Sequence, residues 1–218
     1  MVNQIFIPIT FTADPTDNAL PPTDLKALYT GGAFLPPLLS SDDPNRRGYQ
    51  LIGASANPGS FMLLLIYLQP HSQGKVRIQT SDPLTVSLAD NNYFGDPQDL
   101  QAFIAALRQY ILPLANSFTQ LYPQYQLVSP SVDVINDDDL VRDFIYDNFD
   151  HTHHWMSSNI MSTTPATDVV NGFGSVYGVK HLTIADDSIA PIMNDGNTCA
   201  PAYLIAWIIS TLLLKFKK

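Results

Sequence analysis

The sequence predicts an α+β fold in which helices flank an antiparallel sheet. Near the start, Ile5, Ile7 and Ile9 recur at every second position, which is the period of a strand with one buried face. Three later apolar runs, "YQLIGAS", "FMLLLIYLQ" and "KVRIQTS", have the composition of strands. After residue 95 the apolar period changes to that of a helix. With 218 residues, 45% of them hydrophobic, the chain is long enough to bury a substantial core.

Turn residues mark the connections between the predicted strands. Pro15, Pro21 and Pro22 predict that a loop follows the first strand. The stretch "PHSQG" at residues 70–74 predicts a turn that joins the last two apolar runs. Because such short connections suit antiparallel neighbours, we expect these strands to pair in one sheet.

Two helices are predicted after the strands. Asp96 can cap the first helix, Pro97 suits its first position, and Phe103 and Leu107 lie at helical spacing. Pro113 predicts a kink or an end of this helix, because proline lacks the N–H group that a helix interior needs. The acidic run "NDDD" at residues 136–139 predicts the start of the second helix.

The C-terminal region predicts a strand and then a helix. After the glycine-punctuated stretch "NGFG", the short apolar run "HLTIA" at residues 181–185 indicates a strand. The run "AYLIAWIISTLLLKF" is the most apolar segment, but it is shorter than the ~20 residues that a bilayer crossing needs. We therefore expect a buried helix. A membrane anchor flanked by Lys215, Lys217 and Lys218 is the alternative.

Composition excludes several classes of function. The formal net charge of -9 and the pI near 4.6 argue against a nucleic-acid-binding protein, which needs a basic surface. The single cysteine, Cys199, excludes an intrachain disulfide and any multi-cysteine metal site. The first residues lack the cationic and apolar regions of a secretory signal. The compartment is unknown from sequence, and a soluble cytoplasmic protein is the default expectation.

The stretch "HTHHWMSSNIMS" at residues 151–162 holds three of the five histidines. Because imidazoles titrate near neutral pH, we expect chemistry from this stretch. A metal site with Asp150 has poor ligand spacing, although His151 and His153 would point to the same side of a strand. A solvated histidine loop is the alternative to a metal site.

Nucleophilic hydrolysis has weak support in the sequence. The stretch "GASAN" at residues 53–57 lacks the final glycine of a nucleophile elbow. Cys199 precedes a proline-bounded helix start and could form a reactive thiolate, but a single cysteine is more often a small buried residue.

Two C-terminal segments together carry a resemblance to a known family. The stretch "HHWMSSNIMS", followed later by "YGVKHLTIADDSIAPIMNDGNTCAPAYLIA", resembles the C-terminal signature of the glucose-methanol-choline oxidoreductases, flavoenzymes that oxidise alcohols with FAD. The earlier stretch "GKVRIQTSDPLTVSLADNNYFGDPQDLQAFIAALR" is similar to the substrate domain of that family. The resemblance covers at least residues 74–210.

The resemblance implies roles for individual residues. His154 matches the family's active-site base, and Asn197 matches its partner at the substrate oxygen. Asp186, Asp187, Asn197 and Thr198 are implied as cofactor contacts. A neutral imidazole is a suitable base for a hydroxyl proton, and an amide can hold the same oxygen without titrating.

Some positions depart from the family's pattern. Ser157 and Ser162 occupy positions where the family usually has glycine, and Trp207 replaces a glutamate that is common in the last helix. The sequence also lacks a G-x-G-x-x-G turn after a strand near its start, so it has no evident site for the pyrophosphate of a dinucleotide.

The resemblance therefore implies the C-terminal portion of such an enzyme, either as a split subunit or as a gene fragment. Residues 1–162 would form the substrate-binding and catalytic-histidine region, and residues 163–218 the C-terminal part of an incomplete FAD-binding domain. FAD would bind only with an FAD-binding subunit or domain supplied in trans, and the substrate would be a small alcohol or sugar. A non-catalytic remnant or interaction module of the same family is the alternative.

Overall fold

The computed structural model describes residues 1–13, 29–57 and 59–216. Two compact units are each assembled from separate segments of the chain. The sheet unit comprises Ile5–Gln69 and Pro97–Thr152. The histidine unit comprises Met1–Gln4, Pro70–Asp96 and His153–Lys218. The predicted loop over Pro15, Pro21 and Pro22 lies outside the described residues, as do Lys217 and Lys218.

The α+β class is confirmed by the order of strands and helices along the chain. The strands are β1 (Ile5–Ala13), β2 (Tyr29–Leu35), β3 (Tyr49–Asn57), β4 (Ser60–Tyr67), β5 (Lys75–Arg77), β6 (Leu88–Asp90), β7 (Tyr125–Ser129) and β8 (Asp150–His151). The α-helices are α1 (Pro97–Ala106), α2 (Leu112–Leu121), α3 (Val132–Asn136), α4 (Asp138–Asn148) and α5 (Cys199–Phe216).

The sheet unit is built around an antiparallel sheet. Its strands have the order β2-β3-β4-β1-β7, and β8 also pairs with β1. The alternation predicted for β1 is confirmed, since Ile5, Ile7, Ile9 and Phe11 are each at most 2% exposed. Helix α1 contacts β4, and helix α4 contacts β1. One apolar face of β1 is thereby buried, as the period of two requires.

The predicted pairing of "FMLLLIYLQ" with "KVRIQTS" is wrong. Strand β4 has β1 on one side and β3 on the other, so it has no edge left for β5. Strand β5 instead pairs with β6 in the histidine unit, with Lys75 opposite Asp90. The residues of "PHSQG" therefore connect two sheets and do not form a hairpin turn.

The helix around Pro113 neither ends nor breaks there. A π-helical stretch, Leu107–Ile111, lies between α1 and α2, and Pro113 falls in the first turn of α2. The N–H of Leu112 bonds the carbonyl of Leu107, five residues earlier. This wider turn changes the backbone hydrogen-bond pattern just before Pro113, which has no N–H group to donate, so the helix continues.

The acidic start predicted for the next helix is confirmed. The Asp137 carboxylate accepts hydrogen bonds from the backbone N–H groups of Asp139 and Leu140, both at 2.9 Å, so it is the N-cap of α4. Val141 and Ile145 lie one turn apart and are fully buried. The cap and the apolar face together account for this helix.

The predicted C-terminal helix is confirmed as α5, but its predicted burial is wrong, since Tyr203 and Trp207 on this helix are 76% and 66% exposed. The predicted strand at residues 181–185 does not form. His181 has a φ of 61°, which interrupts extended backbone at the first residue of that run. Only an isolated bridge joins Thr183 to Ser175, and a 3₁₀ turn, Asp187–Ile189, follows. None of the helices in the described residues combines the length and the apolar character needed to cross a membrane.

Candidate functional site

The backbone of His154 is held by the first residues of the chain. Its N–H donates to the side-chain oxygen of Asn3 at 3.0 Å, and the Asn3 amide donates to the Tyr93 hydroxyl at 2.8 Å. Val2 and Met156 form an antiparallel bridge with two backbone hydrogen bonds of 2.9 Å. The loop that carries His154 is therefore fixed at the histidine and again two residues after it.

The two ring nitrogens of His154 have different partners. Nδ1 lies 2.7 Å from Oε1 of Gln4, and Nε2 lies 3.4 Å from Nδ2 of Asn197. Asn197 is two residues before α5, and Gln4 immediately precedes β1. The structure thus brings together His154 and Asn197, the two residues that the sequence predicts as catalytic.

The environment of His154 favours its neutral form. Burial of the ring, and to a smaller extent the charge of His153, lower the pKa of His154 from its ordinary value. At pH 7 the ring is therefore neutral and carries a lone pair on one nitrogen. His153 itself is exposed and makes an edge contact with the Trp155 ring, at 5.3 Å between centroids.

The loop before α5 is also held by hydrogen bonds. The Gln4 amide donates to the carbonyl of Asn194 at 2.9 Å. The Asn194 amide donates to the carbonyls of Gly196 at 2.7 Å and Asn197 at 3.1 Å. These contacts tie the backbone of Asn197 to the same glutamine that contacts the His154 ring.

Sequence reasoning missed Asn3, Gln4, Tyr93 and Asn194. A polar pair directly before an apolar strand was the only available signal, and both members are almost fully buried, with exposures of 7% for Asn3 and 0% for Gln4. Buried polar side chains need hydrogen-bond partners, but the sequence does not show which residues fold against them.

The predicted cofactor contacts lie in two parts of the histidine unit. Asp186 caps the 3₁₀ turn by accepting from the N–H of Ser188 at 2.8 Å. Burial and the neighbouring Asp186 raise the pKa of Asp187. The Asp187 carbonyl accepts from the N–H of Ser157 at 3.2 Å, which ties this turn to the histidine loop. Thr198 is buried, and its backbone carbonyl accepts a hydrogen bond from the N–H of Ala202 in the first turn of α5.

The alternative metal site is not assembled in the described residues. His151 lies in β8 of the sheet unit, whereas His153 belongs to the histidine unit. No group of three or more His, Cys, Asp or Glu side chains among the described residues is arranged to hold a metal. Cys199 is exposed and begins α5, which differs from the buried position expected of a lone cysteine.

Comparisons with known proteins agree on one family. The family model described as GMC oxidoreductase matches residues 70–206. Alcohol dehydrogenase [acceptor] of Pseudomonas putida is 30% identical over 148 residues, which cover 67% of this chain and 26% of that protein. Oxygen-dependent choline dehydrogenase of Pseudomonas syringae pv. tomato is 30% identical over 173 residues, covering 79% of this chain and 28% of that protein.

Solved structures share the fold at lower identity. An FAD-dependent oxidoreductase from Chaetomium thermophilum aligns with a TM-score of 0.82 and 18% identity, covering 98% of this chain and 47% of that one. A fungal aryl-alcohol oxidase aligns with a TM-score of 0.81 and 15% identity over the same shares. This chain therefore spans about half the length of these structures, and less of the curated relatives. The match to the family model and to these relatives shows that the chain belongs to the GMC oxidoreductase family.

Proposed function

We propose that the chain is the substrate-side and catalytic part of an FAD-dependent oxidoreductase that acts on the CH–OH group of alcohols. The observation that carries this proposal is the pairing of a neutral His154 with Asn197, whose side-chain nitrogens lie 3.4 Å apart. Relatives named as alcohol and choline dehydrogenases support the reaction class.

The two side chains can divide the work at an alcohol hydroxyl. Nε2 of His154 accepts the hydroxyl proton, and the Asn197 amide donates a hydrogen bond to the same oxygen. This orients the carbinol carbon and stabilises charge that develops on the oxygen as its proton leaves. The chemistry that FAD supplies when bound is acceptance of the hydride from that carbon.

The residues predicted to contact the cofactor fit only part of FAD. Asp186, Asp187, Asn197 and Thr198 offer carboxylate, amide and hydroxyl groups, which suit the N–H and hydroxyl groups of a flavin and its ribityl chain. Between Lys180 and Lys215 the sequence has no lysine or arginine, so nothing there balances the charge of a diphosphate. We therefore propose that FAD binds only when a complementing part holds its diphosphate.

The surface of α5 supports a partner that carries this complementing part. Tyr203 and Trp207 are 76% and 66% exposed, and Leu204 and Ile208 on the following positions are more than 40% exposed. These residues recur at helical spacing, so they form one apolar face along the helix. We propose that an FAD-binding subunit or domain, supplied in trans, covers this face.

Replacement of His154 in the complex with the FAD-binding partner tests the proposal. His154→Gln removes the base, so turnover of primary alcohols and reducing sugars with a dye acceptor should fall about 10²–10⁴-fold. His151→Gln is the matched control, because His151 lies in the sheet unit, and it should retain wild-type turnover. Undiminished turnover of His154→Gln would remove the catalytic assignment.

A second candidate, a non-catalytic remnant or interaction module, is favoured by one observation. Ser157 has a φ of 62°, a conformation suited to glycine, at a position where the family usually has glycine. A strained residue beside the histidine indicates relaxed constraint on the loop. If this second candidate holds, the complex with wild-type chain binds FAD but turns over none of the alcohols or sugars.

A further inference from the structure

Gln4 is a fully buried polar residue that contacts both halves of the candidate site. Its side chain is 0% exposed. One end of its amide meets the His154 ring, and the other end meets the carbonyl of Asn194. A buried amide needs hydrogen bonds at both its oxygen and its NH₂ group, so its neighbours determine which way it points.

The contact with Asn194 determines which way the Gln4 amide points. A backbone carbonyl can only accept a hydrogen bond, so the atom 2.9 Å from the Asn194 oxygen is the Gln4 NH₂ group. The amide oxygen of Gln4 is then the atom 2.7 Å from Nδ1 of His154. Because an amide oxygen also only accepts, Nδ1 of His154 carries the proton.

The opposite side of the ring agrees with this assignment. Nε2 faces the NH₂ group of Asn197 at 3.4 Å, and an NH₂ group donates. A proton on Nε2 would place two donors against each other. Nε2 therefore holds the lone pair, as a base at this position requires.

Four residues close a ring of hydrogen bonds around the site. Gln4 contacts His154, His154 contacts Asn197, the Asn194 amide bonds the Asn197 carbonyl, and Gln4 bonds the Asn194 carbonyl. One glutamine thus sets the protonated side of the imidazole and ties down the loop that presents Asn197.

We propose that Gln4 is a positioning residue that holds His154 in the Nδ1–H tautomer, so that the lone pair is on Nε2. The tautomer follows from the hydrogen bonds alone, but its use for catalysis rests on the function proposed above. An isolated histidine in water favours the Nε2–H tautomer, so without Gln4 the lone pair would move to the side away from Asn197.

The neutral Gln4 amide affects the charge state of His154 differently from a carboxylate. The Gln4 amide fixes the ring without stabilising the imidazolium, whereas a carboxylate at this distance would do both. The titratable group that acts on the His154 ring is His153, which disfavours the charged form. Gln4→Glu is therefore a nearly isosteric change that keeps the tautomer and favours protonation.

Nitrogen NMR of the intact chain tests the proposal without FAD or a partner. Long-range proton–nitrogen spectra of ¹⁵N-histidine-labelled protein distinguish the two tautomers, and the His154→Gln variant identifies the His154 signals. We expect His154 to be Nδ1–H in the wild-type chain above its pKa. Gln4→Met should shift its population toward Nε2–H, and Gln4→Glu should raise its titration midpoint by about one to two pH units.

The controls separate this result from misfolding and from the wider proposal. Gln126→Glu adds the same charge at an exposed glutamine of the sheet unit and should leave the His154 midpoint unchanged. An Nε2–H signal for wild-type His154 would overturn the assignment, as would an unchanged midpoint in a folded Gln4→Glu chain. The turnover assay of the complex is separate, so an Nδ1–H result with no turnover would retain this inference and reject the catalytic function.

Discussion

Ser157 adopts a backbone conformation that is unfavourable for a residue with a side chain. It lies three positions after His154, has a φ of 62° and is 3% exposed. Its hydroxyl is buried without a hydrogen-bond partner among the described residues. A left-handed conformation costs a non-glycine residue about 1–2 kcal/mol, and an unpaired buried hydroxyl adds to this cost. Ser157 therefore destabilises the loop that carries the candidate base.

Glycine at this position should stabilise the chain. Ser157→Gly removes both penalties but adds flexibility to the unfolded chain, so we expect a net gain of about 1 kcal/mol and a rise in Tm of about 2–4 °C. Thermal unfolding followed by circular dichroism measures this. Ser158→Gly, at an adjacent exposed position without a positive φ, should instead lower Tm. A lower Tm for Ser157→Gly would show that its conformation is not strained.

At the scale of elements, sequence patterns predicted the features that depend on neighbouring residues in the chain. The apolar period of β1 and the acidic cap of α4 depend on neighbouring residues, and both predictions were confirmed. The pairing of β4 depends on which strands compete for its two edges, and the sequence does not show that β1 and β3 occupy both. The run at residues 181–185 has the composition of a strand, but a left-handed His181 interrupts it.

Prediction of the candidate site was limited in the same way. His154 and Asn197 were predictable because a family resemblance marks both, and the structure places their side chains in contact. Gln4 and Asn194 were not predictable, because Gln4 contacts residues that are far away in the sequence. It lies 150 positions from His154 and 190 positions from Asn194. Only folding reveals that the residues before β1 meet those before α5.

Strand β4 ends at a buried hydrogen bond whose loss is measurable. The Tyr67 hydroxyl donates to the Asp42 carboxyl group at 2.8 Å, and the two residues are 0% and 5% exposed. Burial, and then the hydrogen bond to Asp42, raise the pKa of Tyr67, so it remains a donor across the ordinary pH range.

Tyr67→Phe should lower the free energy of unfolding by about 1–3 kcal/mol, because it leaves a buried acceptor without this donor. Urea denaturation at pH 7 provides the measurement. Tyr122→Phe is the control, since Tyr122 is 49% exposed and its change should stay within about 0.5 kcal/mol. Equal stability of Tyr67→Phe and wild type would mean that the hydroxyl contributes nothing net.

At the scale of the whole molecule, the family assignment and the exposed surface both agree with the proposal that an FAD-binding partner complements this chain. The chain spans about half the length of the matched structures, and α5 exposes an apolar face that includes Trp207. The proposed division into a substrate region, residues 1–162, and part of an FAD-binding domain, residues 163–218, stays a prediction about function. The sheet unit lies wholly within residues 1–162, whereas the histidine unit includes residues of both regions, so the division does not coincide with the compact units.

The visible absorbance of purified protein tests the central claim most directly. The chain is titrated with FAD alone and then co-purified with the product of the open reading frame directly upstream. We predict no flavin spectrum from the chain by itself and a bound-flavin spectrum from the complex, with less of it when Trp207→Glu places a charge on the α5 face. A flavin spectrum in neither preparation, or in the chain alone, would contradict the account.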